Sequence, residues 1–199
     1  MASQTEIVNR ALLKLGGSPI TSIADNSKAA RVMGGLWDTV RKSELTKRFW
    51  NFALARTSLA ALSDVPDWGF GVKYQLPIDF LKLVQVNDFF VSPGLQDYRN
   101  MDDSPWAIEG QELLTDFGAP LKIRYVRDIT DPGTFDALFC EVMASKLAYE
   151  GCYAITQSRD GQRQAMDDYK LAIREAALSN AIAKPPQGML DDSWVFGRL

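Results

Sequence analysis

The spacing of apolar residues changes twice along this chain of 199 residues, and that change limits the fold more than any single motif. Up to about residue 65, apolar residues recur every three or four positions, as on one face of an α-helix. Between about 66 and 130 they alternate with polar residues, as in half-buried β-strands. Helical spacing returns after 131. The sequence therefore predicts a mainly helical α+β fold: a helical bundle with a small inserted antiparallel β-sheet and an extended C-terminal arm.

The same order divides the chain into four segments. Residues 1–65 supply the N-terminal helices of the bundle, 66–130 the small β-sheet domain, 131–183 the C-terminal helices and 184–199 an extended docking arm. The apolar share of 46% and the charged share of 24% are ordinary for a globular protein, so we expect one domain with an insertion.

Two helices are predicted in the first segment. Ser3 and Glu6 match a capping box, and Gly16-Gly17 can adopt the left-handed conformation that ends a helix. Asn26-Ser27 begins the second helix. Residues 48–56 continue or restart the helical pattern and contain three aromatic residues, which we expect to form a packing hub.

The alternating segments predict four or five short strands in one sheet. Residues 72–76 alternate cleanly, 80–86 form a largely buried run, 106–117 have the pattern of a hairpin, and 121–125 alternate again. The stretch 89–104 between them is polar and contains proline and glycine, so we expect an exposed loop there.

The C-terminal helices differ in how widely their apolar residues are spread. Residues 135–156 carry apolar side chains around most of the helix, which indicates burial on several sides. Ser158 can cap the final helix, whose other face is charged. Its predicted buried face consists of Met166, Tyr169, Ile173 and Ala177.

The chain contains no histidine, which removes histidine acid–base chemistry, Ser-His-Asp and Cys-His catalysis and most transition-metal sites. Cys140 and Cys152 are too far apart on one helix, about 18 Å, to form a disulfide, and we interpret both as small buried apolar residues. No nucleotide-binding or zinc-protease motif is present in the sequence. We therefore predict no cofactor, no metal site and no catalytic residue.

Charge and hydropathy argue against a polycation and against a membrane protein. The net charge is −3, and no apolar run approaches the about 20 residues that span a membrane. The N-terminus lacks the basic and apolar blocks of a secretion signal, so we expect synthesis in the cytoplasm.

Basic and aromatic residues are interleaved at the end of the second predicted helix. This group could form a local nucleic-acid face, or a mixed face toward a neighbouring subunit. Its members are Arg41, Lys42, Lys47, Arg48 and Trp50.

Paired carboxylates keep a glycosidase as the alternative function. Asp102-Asp103 and Asp191-Asp192 lie in polar segments, and Glu109 and Glu112 flank a predicted turn. Glu141 lies near the start of an apolar helix, where capping or a salt bridge is the favoured interpretation. The alternative would be a cell-wall (peptidoglycan) hydrolase that uses such carboxylates.

The chain ends on an apolar, aromatic segment that a solvated tail does not need. Pro185-Pro186 stops the preceding helix, and a polar spacer follows. The arm is expected to dock either on its own domain or on a neighbouring chain. Its candidate partner-binding residues are Trp194, Val195, Phe196 and Arg198.

Several segments, in this order and covering nearly the whole chain, resemble one family. They are Ile7–Gly16, Trp50–Arg56, Tyr74–Leu81, Tyr125–Asp131, Phe135–Phe139 and Ala144–Ala148, followed by the arm with Ser193-Trp194. Together they are similar to the head-to-tail adaptor of short-tailed bacteriophages, also called tail tubular protein A.

The resemblance implies a non-enzymatic structural protein of the virion, located in the neck and tail. Copies of the chain, typically twelve, would form a ring between the portal protein and the tail nozzle protein. The ring would extend the channel through which double-stranded DNA leaves without specific binding, and the arm would reach toward the portal. A ring needs two different complementary faces on each subunit, for which the mixed charges of the second and last helices are candidates.

Overall fold

The computed structural model describes residues 2–90 and 105–183, and within them it contains four α-helices and two antiparallel sheets. The predicted α+β class, mainly helical, is confirmed. The helices are α1 (Gln4–Lys14), α2 (Lys28–Lys47), α3 (Ala137–Thr156) and α4 (Arg159–Ile182).

The helix starts follow the predicted capping signals. The side chains of Ser3 and Glu6 each accept a hydrogen bond from the other's backbone N–H, which confirms the capping box. Ser27 and Ser158 cap α2 and α4 by accepting from the N–H groups three residues on. After α1, Gly16 has a φ of +69°, a conformation that glycine adopts at little cost.

Helix α3 lies at the centre of the helical body and packs against α1, α2 and α4. Its side chains at Phe139, Met143 and Leu147 are fully buried, which confirms the predicted burial on several sides. The predicted aromatic hub is also confirmed, because the Phe139 ring lies 5.1 Å from the ring of Trp50 and 5.0 Å from that of Phe52.

The helical prediction for residues 48–56 is wrong, because only Asn51–Ala53 form a short 3₁₀ turn there. Helix α2 ends at Lys47, a short 3₁₀ turn covers Asn51–Ala53, and Leu54–Leu59 is the first strand, β1. Leucine, alanine and arginine favour helix locally, but here β1 pairs along its whole length with a strand more than 60 positions later. Strand structure thus begins before the predicted start at 66.

The predicted single sheet is two sheets. After β1 the strands are β2 (Val72–Gln75), β3 (Phe80–Val86), β4 (Phe89–Phe90), β5 (Trp106–Glu109), β6 (Glu112–Thr115) and β7 (Leu121–Arg127). Sheet A has the strand order β1-β7-β3-β4 and sheet B the order β2-β6-β5, and all neighbouring strands are antiparallel. Strand β4 falls at the start of the predicted loop 89–104, whose residues 91–104 lie outside the described residues.

The two sheets pack face to face around a second core. This core includes Tyr74 and Leu113 of sheet B and Leu121, Ile123 and Tyr125 of sheet A, all at most 6% exposed. The next residue of β7, Val126, points the other way and belongs to the helical core. One sheet therefore serves two cores, and this joins the β-sandwich to the helical body.

Candidate interaction surfaces

The outward face of α4 carries three exposed apolar side chains, with the exposed Arg174 and Glu175 between the first two. Leu171, Leu178 and Ile182 are 59%, 65% and 75% exposed. Steps of seven and four residues return to nearly the same side of an α-helix, so the three side chains form one line. This line, the α4 stripe, ends two residues before the arm begins at 184.

The sequence pattern missed the α4 stripe because the helix is rotated from the predicted orientation. Its buried face is centred on Ala165, Tyr169, Ala172 and Ala176, and the predicted residues Met166 and Ile173 lie only partly buried at the edge. The small alanines at helical spacing were the available signal, since they allow close approach of α4 to α3. The leucines are then left on the outside.

The end of α4 is fixed to the body by hydrogen bonds around Asn180. Its Oδ1 accepts from the Asn51 N–H at 2.8 Å, its Nδ2 donates to the Phe49 carbonyl at 2.9 Å, and its own carbonyl accepts from Asn51 Nδ2 at 2.8 Å. The α4 stripe is therefore displayed on an anchored helix.

The four predicted partner-binding residues, Trp194, Val195, Phe196 and Arg198, lie outside the described residues. Their docking stays a prediction. The structure describes the helix that leads to them and the exposed stripe at its end.

A polar cluster that the sequence did not predict is buried between α2 and α4. The carboxylate of Glu44 is fully buried and accepts from the Tyr169 hydroxyl at 3.0 and 3.1 Å and from Lys47 Nζ at 2.5 Å. Burial disfavours the charge of Lys47, but hydrogen bonds to Glu44 and Tyr169 outweigh it and raise the pKa of the ammonium group. Burial also raises the pKa of Tyr169, and the hydrogen bond from Lys47 only partly offsets this rise. The cluster satisfies its own charges, so we interpret it as structural.

The basic and aromatic run at the end of α2 does not form one nucleic-acid face. The Arg41 guanidinium is buried, where it bonds to Asp128 and donates to the Ile129 carbonyl at 2.8 Å. Trp50 is 2% exposed and donates to the Glu44 carbonyl at 2.9 Å. Two of the five residues therefore stabilise the interior.

The described carboxylates considered for hydrolysis, Glu109, Glu112 and Glu141, lie in two different parts of the molecule, and Asp102-Asp103 and Asp191-Asp192 lie outside the described residues. Glu141 of α3 forms ion pairs with Arg10 and, at 2.6 Å, with Lys14 of α1, which confirms the salt-bridge interpretation. Glu109 and Glu112 face each other across the β5-β6 turn. The ion pairs of Glu141 stabilise the packing of α1 on α3.

An open groove of about 710 Å³ runs along α3 and α4. Its walls are mixed in character, and it is lined in part by Tyr149, Tyr153, Arg163, Met166 and Lys170. Within the described residues, no three histidine, cysteine, aspartate or glutamate side chains are placed to hold a metal ion. The groove is open and mixed in character, unlike an enclosed ligand site.

The two cysteines are free thiols, as their spacing predicted. Cys152 is buried, whereas Cys140 is only partly buried. Burial and then the nearby Asp136 carboxylate raise the pKa of the Cys140 thiol, which makes it a weak nucleophile at neutral pH.

No described helix has both the length and the apolar character needed to cross a membrane. Comparison with protein-family models and with curated proteins finds no match for this chain.

Proposed function

We propose that this protein is a structural head-to-tail adaptor of a short-tailed bacteriophage. Copies of the chain form a ring between the portal protein and the tail nozzle protein, and the ring extends the channel for double-stranded DNA. The observation that carries the proposal is the α4 stripe, because it leads directly into the aromatic arm.

The stripe and the arm together fit a protein-binding surface. Single exposed apolar residues are normal, but three in line on one helix face are the pattern by which a helix binds an apolar groove. The hydrogen bonds of Asn180 hold the helix end in place, which reduces the ordering cost of association. The aromatic side chains of Trp194 and Phe196 are of the type that supplies most binding energy in interfaces.

Deletion of residues 187–199 tests the arm. Residue 187 lies beyond Ala176, the last core residue of the described chain, so we expect the truncated chain to fold, which circular dichroism checks. We expect it to lose attachment to portal rings, measured by co-sedimentation. Normal attachment of the folded truncated chain would contradict the proposal that the arm anchors the adaptor.

Point variants in the full chain give a sharper version of this test. Trp194→Ala combined with Phe196→Ala should weaken portal binding by at least about tenfold, since each aromatic anchor contributes about 1–2 kcal/mol or more. Ile78→Ala is the matched control, because Ile78 is fully exposed and lies in the β-sandwich. Equal loss of binding in the control would show that the effect is not specific to the arm.

A further inference from the structure

The outer face of sheet A carries basic residues in direct opposition. Residues of β7 alternate, so Lys122 and Arg124 point away from the sandwich core that buries Ile123 and Tyr125. Arg56 of β1 lies directly opposite Arg124 in the register. Like charges at directly opposite positions of antiparallel strands are mildly destabilising, so this pair does not stabilise the sheet.

No ion pair among the described residues compensates these charges. In residues 2–90 and 105–183, none of Arg56, Lys122 and Arg124 comes within ion-pair distance of a carboxylate. Partial burial, followed by repulsion from Arg56, lowers the pKa of Arg124. The face, which we call the basic face, therefore has unused capacity for negative groups.

The outer side of sheet B has the opposite sign. Lys73 of β2 lies 3.1 Å from Asp64 and 3.8 Å from Glu112, and hydrogen bonding to Asp64 is the main cause that raises the pKa of Lys73. Asp67 also contributes to that shift. Three acids thus surround one lysine, which leaves negative charge on this side.

An exposed tryptophan accompanies the acids. Trp68 is 87% exposed and adjoins Asp67 in the connection between β1 and β2. Asp64 is 81% exposed in the same connection. We call the segment 64–68 the acidic edge, and it combines carboxylates with an aromatic surface on which a guanidinium can stack.

The basic face and the acidic edge belong to opposite sides of the β-sandwich, because the second core lies between the two sheets. Complementary surfaces pointing in opposite directions are what a heterologous, head-to-tail contact between identical subunits requires. We propose that the basic face of one copy binds the acidic edge of a second copy, with Trp68 against the paired arginines. This inference rests on the proposed function in that it names a subunit contact of the ring.

A second copy fits these surfaces better than nucleic acid does. Duplex DNA would neutralise the basic face, but it would leave the exposed Trp68 and its flanking acids unexplained. A contact with a second copy covers the basic face of one subunit and the acidic edge of the other. The proposal also places this contact on the sandwich rather than on the charged faces of α2 and α4.

Charge reversal with mixing tests the contact in the full chain. One variant carries Arg56→Glu and Arg124→Glu, and the other carries Asp64→Lys and Asp67→Lys. Each should lose self-association at least about tenfold, because it presents like charges to its own copies. An equimolar mixture should associate again, since both alternating contacts then join opposite charges. Sedimentation equilibrium measures both results, and failure of the mixture to associate would overturn the proposal.

The control reverses two exposed arginines of α4, Arg163→Glu with Arg174→Glu. It changes the net charge by the same amount as the variant with Arg56→Glu and Arg124→Glu. We expect it to associate as the wild type does, and a selective loss in this variant would move the contact to the helix and overturn the proposal. Trp68→Ala should weaken association about tenfold.

Two further outcomes separate this inference from the proposed function. A wild-type chain that stays monomeric up to about 1 mM would overturn the contact, whereas portal co-sedimentation decides the adaptor role independently. Salt-dependent binding of duplex DNA by that monomer, lost with Arg56→Glu and Arg124→Glu, would assign the basic face to phosphate groups and also overturn the contact.

Discussion

The helical body and the β-sandwich treat their charged residues in opposite ways. In the helical body, Arg41 and Glu44 are buried and each has a partner of opposite charge. In the sandwich, Arg56 and Arg124 oppose each other on one face while the acids gather on the other side. Charges that are paired inside the protein hold it together, and charges that are separated by sign on the surface remain available to a partner.

The physical reason for the difference is the cost of burial. An unpaired charge in the interior costs several kcal/mol, so a buried charge needs a partner from the same chain. At the surface, water solvates a charge and repulsion between like charges is small. Substitutions in the body should therefore change stability, and those on the sandwich faces should change association.

The two tryptophans Trp50 and Trp68 give the largest expected contrast. Trp50→Ala removes a ring from the aromatic hub and should lower the free energy of unfolding by about 4 kcal/mol. Trp68→Ala, at an exposed position, should change it by less than about 0.5 kcal/mol. Urea denaturation followed by circular dichroism measures both, and similar losses would break the distinction between the two regions.

The buried Arg41 and the partly exposed Arg124 give the next contrast. Asp128→Asn removes the less exposed of the two carboxylates that pair with the buried Arg41, leaving only the exposed Asp38 at 3.1 Å, and should cost about 3 kcal/mol. Arg124→Gln removes one of two opposed positive charges, so it should be neutral within about 0.5 kcal/mol or slightly stabilising. Thermal unfolding compares the two, and a large loss with Arg124→Gln would show that this residue is structural.

The smallest effect concerns Tyr125, in the sandwich core. Its hydroxyl donates to Asp79 at 3.0 Å, so Tyr125→Phe should cost about 1 kcal/mol at neutral pH. Burial and then the Asp79 contact raise the pKa of Tyr125 to about 12, above its ordinary 10. The folded pKa is the higher one, so the stabilisation is complete below pH 10 and is lost as the pH rises toward 12.

The pH dependence should appear as a change in the difference in unfolding free energy between the wild type and Tyr125→Phe. Lys47 and Tyr169 also have raised pKa values, so both proteins should lose stability in alkali. The wild-type advantage over Tyr125→Phe should narrow above pH 10 and reverse before pH 12, because the rise in pKa outweighs an advantage of about 1 kcal/mol. An advantage that stays constant across this range would contradict the role of the Asp79 hydrogen bond.

Much of the fold was predictable because its signals are local. Ser3, Ser27 and Ser158 cap their helices through groups only three residues away, and alternation in β7 reports burial within one strand. The strand β1 was missed because its local composition suits a helix and only pairing with β7 makes it extended. Its partner strand lies more than 60 positions later in the sequence, where a pattern read from neighbouring residues cannot detect it.

The candidate sites were less predictable because they also depend on contacts between segments that are distant in the sequence. The arm residues Trp194 and Phe196 remain a sequence prediction, and the α4 stripe emerged only when the packing of α4 on α3 set the rotation of the helix. Tyr169 bonds to Glu44 across 125 positions of the chain, and no spacing rule connects them.

By itself the sequence determined the succession of a helical, a strand-rich and a second helical region, the helix caps and the exclusion of histidine chemistry, because each depends on residue identity or on neighbours within a few positions. Only the tertiary structure decided that the strands form two sheets, that Arg41 is buried while Arg56 and Arg124 meet on a surface, and which face of α4 is exposed. These features depend on contacts between distant segments, where burial sets the cost of each charge and each apolar side chain.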